Sequence, residues 1–388
     1  MSTAEYIRSR FASGLLIAAA LNVAACASGE VEALSSRRTS EVDVPGKVLI
    51  EDKIRSVTFS SRGVPQPGTL DSLKHLGVSH VTLIPFGYQS DVSDPSIQFD
   101  PNRRWHTESD SGIASVTDQA RRLGMGTILK PHIWVGGYRS TGQPRHMVGF
   151  DSEAEWQTWE SSYRRFILHY AQLAHRIEAD VFVIGTELAR CARERPAFWR
   201  AIAEEIREVY DGKLTYAANW YEEYEDIEFW RSLDYVGVQA YFPITSVDRP
   251  TTRDLRRGWR SHAQALEETS NRAGKPIFFT EIGYRSVADA AREPWRWVSR
   301  EEVGTTPPDH ALQAALYDAF FDQVWSHQWF AGASLWRWHN AAESEGPRRD
   351  IDFTPQNKPA ASVIRSWFSP GQHEPIPSQA LPSSSRTN

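Results

Sequence analysis

The sequence predicts an α/β protein in which parallel strands and helices alternate to form a (β/α)8 TIM barrel. Short apolar runs rich in β-branched residues recur from about residue 46 onward, and amphipathic stretches with helical spacing separate them. Runs such as residues 181–184 are continuously apolar, which is typical of parallel strands covered on both faces. The alternative is a doubly wound open sheet, which usually has a glycine-rich phosphate turn after its first strand. Residues 60–65 lack that fingerprint.

The pattern predicts eight strands, at residues 57–61, 81–86, 126–134, 181–187, 214–220, 235–241, 277–281 and 333–338. Large apolar side chains recur at intervals of three and four from Trp156 to Ile177, which predicts one face of a helix. Residues 312–324 repeat this spacing before the last strand, and residues 359–368 predict a final helix. Eight βα units over about 310 residues fit the barrel, with insertions after the second, third and seventh strands.

The first 25 residues predict a lipoprotein signal peptide rather than part of the fold. Arg8 and Arg10 precede an apolar run of 15 residues, which is shorter than the roughly 20 that span a bilayer. The run ends in Val23-Ala24-Ala25-Cys26, which resembles a lipobox, so we expect Cys26 to carry lipid and anchor the protein to a bacterial membrane. The alternative is an ordinary secretory signal in which Cys26 is incidental. We expect an extracytoplasmic location. Because Ala27 rather than Asp follows Cys26, we expect the outer membrane if the host has two.

The remaining domain boundaries follow from composition. Residues 26–45 are polar and lack a sustained apolar period, which predicts a flexible tether. Residues 46–368 contain the strand and helix signals and form the predicted barrel domain. Residues 369–388 are rich in Pro, Ser and Gln and predict a disordered tail.

Composition and charge exclude several classes of function. The chain has 388 residues with 43 basic and 49 acidic side chains, and its net charge of −6 argues against a nucleic-acid partner. If Cys26 carries lipid, only Cys191 remains, so no intrachain disulfide can form. No His and Cys residues have the spacing of zinc ligands, so we expect neither a metal nor a cofactor. The 15 Trp, 13 Tyr and 17 Phe suit either a large core or a surface that stacks on rings.

Two carboxylates are candidates for catalysis. The active site of a (β/α)8 barrel lies at the carboxyl ends of the strands. Of the 49 acidic residues, only Glu187 and Glu281 directly end an apolar strand, the fourth and the seventh. Two such carboxylates suit glycosidic bond cleavage, in which one donates a proton and the other attacks or stabilises the sugar cation. The alternative is that each glutamate caps the next helix or pairs with an arginine, but the capping-box pattern fails at Glu187 because Ala189 occupies the required position.

Other strand ends supply candidate supporting residues. Tyr241 ends the sixth strand and is predicted to donate a hydrogen bond to Glu281. Trp336 and Trp338 alternate on the eighth strand, and we predict that Trp336 is a stacking platform for a sugar while Trp338 packs. Lys130 in the third strand is predicted to pair with a carboxylate. Further candidates to line the cleft are His132, Trp134, Asn219, Trp220 and Gln239.

Several segments resemble glycoside hydrolase family 113. They are residues 129–134, 184–188, 219–221, 227–230, 233–241 and 279–286, of which the last is the most specific. The resemblance covers roughly residues 50–368. It implies a retaining barrel of clan A with endo-β-1,4-mannanase activity, with Glu187 as acid/base and Glu281 as nucleophile. Many clan members have Asn before the acid/base, where it binds the sugar 2-hydroxyl, and here that position is Thr186.

The partners implied by this reading are a β-mannan or glucomannan substrate, and a membrane through lipid on Cys26, with the protein acting as a monomer. Two other functions remain open at this level. One is a carbohydrate-binding lipoprotein that has kept the barrel and lost turnover. The other is a metal-dependent hydrolase or deacetylase, which would need His and Asp at the strand ends, and His132 alone does not supply that set.

Overall fold

A computed structural model describes residues 53–136 and 144–369. Its strands are β1 (Ile54–Ser60), β2 (His80–Leu83), β3 (Phe86–Gln89), β4 (Gln98–Phe99), β5 (Gly126–Leu129), β6 (His132–Val135), β7 (Val181–Thr186), β8 (Lys213–Asn219), β9 (Val236–Gln239), β10 (Ile277–Ile282) and β11 (Phe330–His339). Eight of them close into a barrel in the order β1-β11-β10-β9-β8-β7-β5-β2, and every neighbouring pair is parallel. The predicted (β/α)8 barrel is confirmed.

Helices lie between the barrel strands. They are α1 (Thr69–His75), α2 (Asp110–Arg122), α3 (Glu153–Arg176), α4 (Ala189–Glu194), α5 (Pro196–Arg207), α6 (Thr252–Ala273), α7 (His310–Phe320), α8 (Pro347–Ile351) and α9 (Pro359–Phe368). The aromatic spacing read from the sequence corresponds to α3, whose first turn is closed by a capping box between Ser152 and Glu155. A π-helical turn, Phe321–Trp325, extends α7.

The second and third predicted strands are each broken in two, which corrects the sequence-based boundaries. The breaks fall at Pro85 and Pro131, because proline has no N–H to donate to a strand ladder. Beyond them the chain continues as β3 and β6, which pair in parallel and, with β4, form a separate three-stranded sheet. His132 and Trp134 therefore lie on this outer sheet and not on a barrel strand.

Seven of the 15 tryptophans belong to the main hydrophobic core. Buried tryptophans fill the layer between the helices and the outside of the barrel: Trp156, Trp159, Trp199, Trp230, Trp259, Trp325 and Trp338. Trp159 stacks on Tyr163 of the same helix with ring centroids 4.9 Å apart. This core fixes the barrel strands against their helices, and its rigidity positions the side chains at the strand ends.

The inside of the barrel changes from apolar to charged along its axis. An apolar cluster inside the barrel consists of Ile54, Ile128, Val181, Val183, Ala217 and Phe278. Hydroxyl groups bond to one another across the strands, with Thr82 Oγ1 2.8 Å from Ser334 Oγ. At the carboxyl ends of the strands lie Lys130, Gln239 and Glu281, all buried. The barrel therefore presents charged groups on a rigid, well-packed base.

Several sequence-based predictions lie outside the described residues. The signal peptide, Cys26 and nearly all of the tether and tail belong to residues 1–52 and 370–388, so these predictions remain predictions. Across residues 53–136 and 144–369, we find no helix with the length and apolar character needed to cross a membrane.

Candidate active site

Both candidate carboxylates follow an irregularity in a barrel strand. In the pairing of β7 with β8, one extra residue is inserted between Val183 and Thr186. In the pairing of β10 with β9, one extra residue lies between Phe279 and Glu281. Such bulges locally increase the twist and redirect the following side chain, and they are over-represented next to active sites. Both strands are thus shaped where Glu187 and Glu281 leave the barrel.

Glu187 has a strained backbone that its surroundings hold in place. Its φ angle is 54°, in the left-handed region that a residue with a Cβ rarely adopts. Its N–H donates to the Ala217 carbonyl at 2.8 Å, and the next N–H, of Leu188, donates to the Tyr216 hydroxyl at 2.7 Å. Two residues earlier, Gly185 is required because a Cβ there would lie 2.6 Å from the Trp199 ring. These contacts direct the Glu187 side chain into the cleft.

Glu281 accepts hydrogen bonds at both carboxylate oxygens. Lys130 Nζ lies 2.6 Å from Oε1, and the Tyr241 hydroxyl donates to Oε2 at 2.8 Å. Burial raises the pKa of Tyr241 well above its ordinary value, with the Glu281 charge adding to the effect, so Tyr241 keeps its proton and remains a donor. A carboxyl group that accepts at both oxygens has the bonding pattern of an ionised carboxylate, which is the form that a nucleophile requires.

Lys130 and Gln239 connect the two glutamates. The Lys130 ammonium donates to Glu281, to Gln239 Oε1 at 2.7 Å and to the Thr280 carbonyl at 3.1 Å. Gln239 in turn donates from Nε2 to Glu187 Oε1 at 3.2 Å. Burial lowers the pKa of Lys130 and the Glu281 carboxylate opposes that shift. A hydrogen-bonded chain therefore runs from Glu187 through Gln239 and Lys130 to Glu281.

His132 is a neutral imidazole in this arrangement. Burial, with Arg145 and Lys130 nearby, lowers the pKa of His132 well below its ordinary value. Arg145 Nη1 lies 3.0 Å from His132 Nδ1, so Nδ1 accepts and the hydrogen is on Nε2, which lies 3.7 Å from Glu281 Oε1. Arg145 also contacts Glu187, with Nε 3.0 Å from Oε2. Arg145 was not predicted from the sequence, because it lies in an insertion with no periodic signal.

Glu223 is a second residue that the sequence analysis missed. It is buried and accepts hydrogen bonds from the Tyr216 hydroxyl at 2.5 Å and from the backbone N–H and side-chain amide of Asn219, each at 2.7 Å. Because Tyr216 also holds the N–H of Leu188, Glu223 supports the segment that carries Glu187. The predicted cleft residue Asn219 is thus committed to Glu223. The spacing of four residues between Asn219 and Glu223 was the available sequence signal.

The titration of Glu223 gives a testable prediction of stability against pH. Burial raises the pKa of Glu223 from its ordinary 4.5 to about 7. Because the folded-state pKa is the higher one, the stabilising contribution is fully present below pH 4.5 and is lost as pH rises through 7. We expect the free energy of unfolding to fall by about 3 kcal/mol across that pH range because of this group.

Glu223→Gln should remove most of that pH dependence, because glutamine cannot ionise. Denaturant unfolding followed at several pH values between 4 and 8 measures the effect. Glu204→Gln, at an exposed position of α5, is the matched control and should behave as the unchanged protein does. A Glu223→Gln protein with the same pH slope as the control would contradict the assignment.

The predicted aromatic platforms divide into two groups. Trp336 is buried in a small cluster with Ile84 and Phe353. Tyr241, which donates to Glu281, packs against this cluster. Trp134 and Trp220 are half-buried and lie farther out: Trp134 meets Phe86 edge to face, and Trp220 stacks on Trp295 at 5.3 Å. The predicted site residues therefore form two sets. Those brought together at the strand ends are Glu187, Glu281, Tyr241, Gln239, His132 and Trp336. Those placed around this set are Trp134, Trp220 and Asn219.

A closed parallel barrel with two carboxylates at its strand ends is an arrangement that glycoside hydrolases use. The model of Glycoside Hydrolase Family 113 matches residues 64–358, and the chain belongs to this family. It is therefore a retaining glycoside hydrolase. The resemblance seen in the sequence is confirmed at the level of the family.

Solved structures similar to this chain agree with that assignment. The family 113 β-mannanase AaManA from Alicyclobacillus acidocaldarius, in complex with ManMIm, is 28% identical, with a TM-score of 0.68 over 81% of this chain and 97% of that chain. A complex structure of a family 113 β-1,4-mannanase is 25% identical, with a TM-score of 0.66 over 82% of this chain and 99% of that chain. A further β-1,4-mannanase of the family has 24% identity and a TM-score of 0.68, which supports the fold alone. The comparison with curated proteins gave no match.

Proposed function

We propose that this protein is an endo-acting β-1,4-mannanase that works by double displacement, with Glu281 as nucleophile and Glu187 as acid/base. The observation that carries the proposal is the contrast between the two carboxylates. Glu281 has a 5% exposed side chain that accepts at both oxygens, whereas the Glu187 side chain is 22% exposed. A fixed carboxylate suits attack on carbon, and an accessible one suits exchange of protons with a leaving group and with water.

In the first step, a Glu281 oxygen attacks the anomeric carbon and the glycosidic bond breaks. The departing oxygen takes a proton from Glu187, so the leaving sugar is released as a neutral alcohol. Tyr241 and Lys130 hold the Glu281 carboxylate in place, and Tyr241 donates to it at 2.8 Å. The product of this step is a glycosyl ester on Glu281.

In the second step, water attacks the same carbon and Glu187, now a carboxylate, accepts a proton from it. The ester bond breaks and Glu281 is regenerated, so the anomeric configuration is retained overall. This mechanism requires the two carboxyl groups to be about 5–5.5 Å apart. Gln239 bonds Glu187 directly and is linked to Glu281 through Lys130. These hydrogen bonds restrain the separation of the two carboxyl groups.

The preference for mannan rests on the family and on the similar β-mannanases. Mannose differs from glucose in its axial 2-hydroxyl, beside the reacting carbon, so discrimination depends on polar groups near the glutamates. His132 and Gln239 are the groups placed there. The half-buried Trp220 and Trp134 offer apolar faces for the pyranose rings, whereas Trp336 is buried and would contact a sugar only through the small part of its ring that is exposed.

The test is hydrolysis of mannan, glucomannan, cellulose and xylan side by side, with new reducing ends measured and products sized. We expect mannan and glucomannan to be cut into short oligosaccharides of mixed length, since an endo enzyme cleaves internal linkages. The control is Glu281→Ala, which should release no reducing ends. Cleavage of cellulose or xylan with mannan untouched would refute the substrate, and release of only one short product would refute endo action.

We also propose that the enzyme is held outside the cytoplasm by lipid on Cys26. The support is the sequence Val23-Ala24-Ala25-Cys26 at the end of an apolar run. Cys26→Ser should stall processing or release an unlipidated protein, measured by membrane fractionation and mass spectrometry of the amino terminus, with Cys191→Ser as the control. Wild-type protein found entirely in the medium without lipid would refute the anchor.

A further inference from the structure

A small cavity with an excess of positive charge lies beside the candidate active site. It measures about 20 Å³ and is lined by Trp297, Val298, Arg337, Arg348, Arg349, Asp352 and Phe353. Three guanidinium groups and one carboxylate thus surround the space. Trp297 is 58% exposed and Arg348 is exposed, so the lining is continuous with the surface.

Arg337 is the unusual member of this group. Within residues 53–136 and 144–369, its guanidinium has no hydrogen bond and no carboxylate within 4.0 Å, and it lies over the Trp336 ring at 5.4 Å. Asp352, the one carboxylate of the lining, is committed to Arg349 at 2.7 Å. Burial and the neighbouring arginines lower the pKa of Arg337 to about 10, so it stays positively charged at neutral pH. Asp352 and Glu108 act on Arg337 from beyond 4.0 Å, so no carboxylate pairs with it directly. A desolvated cation without a direct partner is costly, and a ligand that supplies one would be stabilised there.

Arg348 provides a second set of donors. Among the described residues it donates one hydrogen bond, to the Val298 carbonyl at 3.2 Å. A guanidinium has five N–H donors, so most of them remain available. Arg337 and Arg348 can therefore bind the same anionic group from two directions.

The cavity is adjacent to the reaction centre. Phe353 forms one wall and packs against Tyr241, with ring centroids 6.0 Å apart, and Tyr241 donates to Glu281. Trp297 meets both Trp336 and Phe353 edge to face, at 6.0 and 5.5 Å. A sugar that contacts Trp336 would thus have Trp297 and Arg337 beside it.

We propose that Arg337, Arg348 and Trp297 form a subsite for the carboxylate of an acidic sugar, a uronic acid unit or side group close to the linkage that is cleaved. This inference rests on the proposed function for its polysaccharide context. A cavity of about 20 Å³ has room for one or two water-sized groups, which matches the two oxygens of a carboxylate better than a tetrahedral sulfate or phosphate. Guanidinium groups bind the planar carboxylate through paired hydrogen bonds, and the exposed indole binds the face of the sugar ring.

The test that does not depend on turnover is calorimetric binding of methyl β-glucuronide and the neutral methyl β-glucoside to the full-length protein. We expect the glucuronide to bind at least about 10-fold more tightly, and this preference to disappear at high salt. Arg337→Met should weaken glucuronide binding by about 10- to 100-fold and leave glucoside binding unchanged. Arg260→Met, at an exposed position of α6, is the matched control. Arg348→Met gives a second measurement on an exposed side chain if Arg337→Met does not fold.

Equal binding of the two glycosides by the wild-type protein would overturn the proposal, as would unchanged glucuronide binding in both arginine variants. Competition by inorganic phosphate or sulfate as effective as by glucuronide would show a general anion site and would equally overturn it. The substrate experiment is separate: an acidic mannan oligosaccharide and its neutral counterpart are compared by kcat/KM, with the ratio expected to fall in Arg337→Met. Glucuronide binding without mannan hydrolysis would refute the mannanase function and leave the subsite standing.

Discussion

Glu281→Gln is expected to reduce kcat/KM on the polysaccharide by about 10⁴-fold or more, because the amide cannot attack the anomeric carbon. Glutamine still offers an oxygen to Lys130, which lies 2.6 Å from Glu281 Oε1, so the buried ammonium keeps an acceptor. Initial rates of reducing-end release measure the loss. Glu281→Ala should lose turnover equally; both variants remove the counter-charge of Lys130, but the alanine also removes the oxygens that accept from Lys130 and Tyr241.

The two variants at this position therefore differ in stability rather than in turnover. Both variants break a buried ion pair, which costs about 3–5 kcal/mol. The alanine in addition leaves the buried donors of Lys130 and Tyr241 without these acceptors, at about 1–3 kcal/mol each. We expect Glu281→Ala to unfold at lower denaturant concentration than Glu281→Gln. The control for both is Glu267→Gln, on the exposed face of α6. A folded Glu281→Gln protein with wild-type turnover would contradict the role of Glu281 as nucleophile.

Glu187→Ala is expected to lose about 10²- to 10⁴-fold on polysaccharide, where the leaving sugar needs a proton, and much less on aryl glycosides with good leaving groups. The truncated side chain leaves a space beside Arg145, whose Nε lies 3.0 Å from Glu187 Oε2. A small anion such as azide would be attracted to that cation. Because azide needs no general base, it should attack the glycosyl ester on Glu281 and restore turnover.

The product of this rescue identifies the mechanism. Double displacement predicts a glycosyl azide with the same anomeric configuration as the substrate, which proton NMR distinguishes. Glu267→Ala should show normal rates and no azide effect. Equal loss on aryl glycosides and polysaccharide with no rescue would argue against Glu187 as the acid/base, and an inverted product would argue against the retaining assignment of both residues.

The barrel could be predicted from the sequence because its signals are local. Continuous apolar runs, helical spacing between them and the aromatic face of α3 each come from neighbouring residues. The strand boundaries were wrong at Pro85 and Pro131, where a run of apolar residues continues through a proline. Periodicity does not register the missing N–H, so the sequence analysis joined each barrel strand to its extension and assigned His132 and Trp134 to the wrong sheet.

The sequence by itself determined which residues stand at strand ends, since a glutamate directly after a buried strand is visible in the chain. That rule selected Glu187, Glu281 and Tyr241 for the site. Only the tertiary structure decided what surrounds them, because Lys130 and Glu281 are 151 residues apart in the chain and meet at 2.6 Å only when the barrel closes. Arg145, Glu223 and Arg337 could not be selected from the sequence, because charged residues are common on any protein surface. Their burial and their contacts arise only when closure of the sheet brings distant strands and loops together. The same holds for the absence, among the described residues, of a hydrogen bond or ion pair to Arg337.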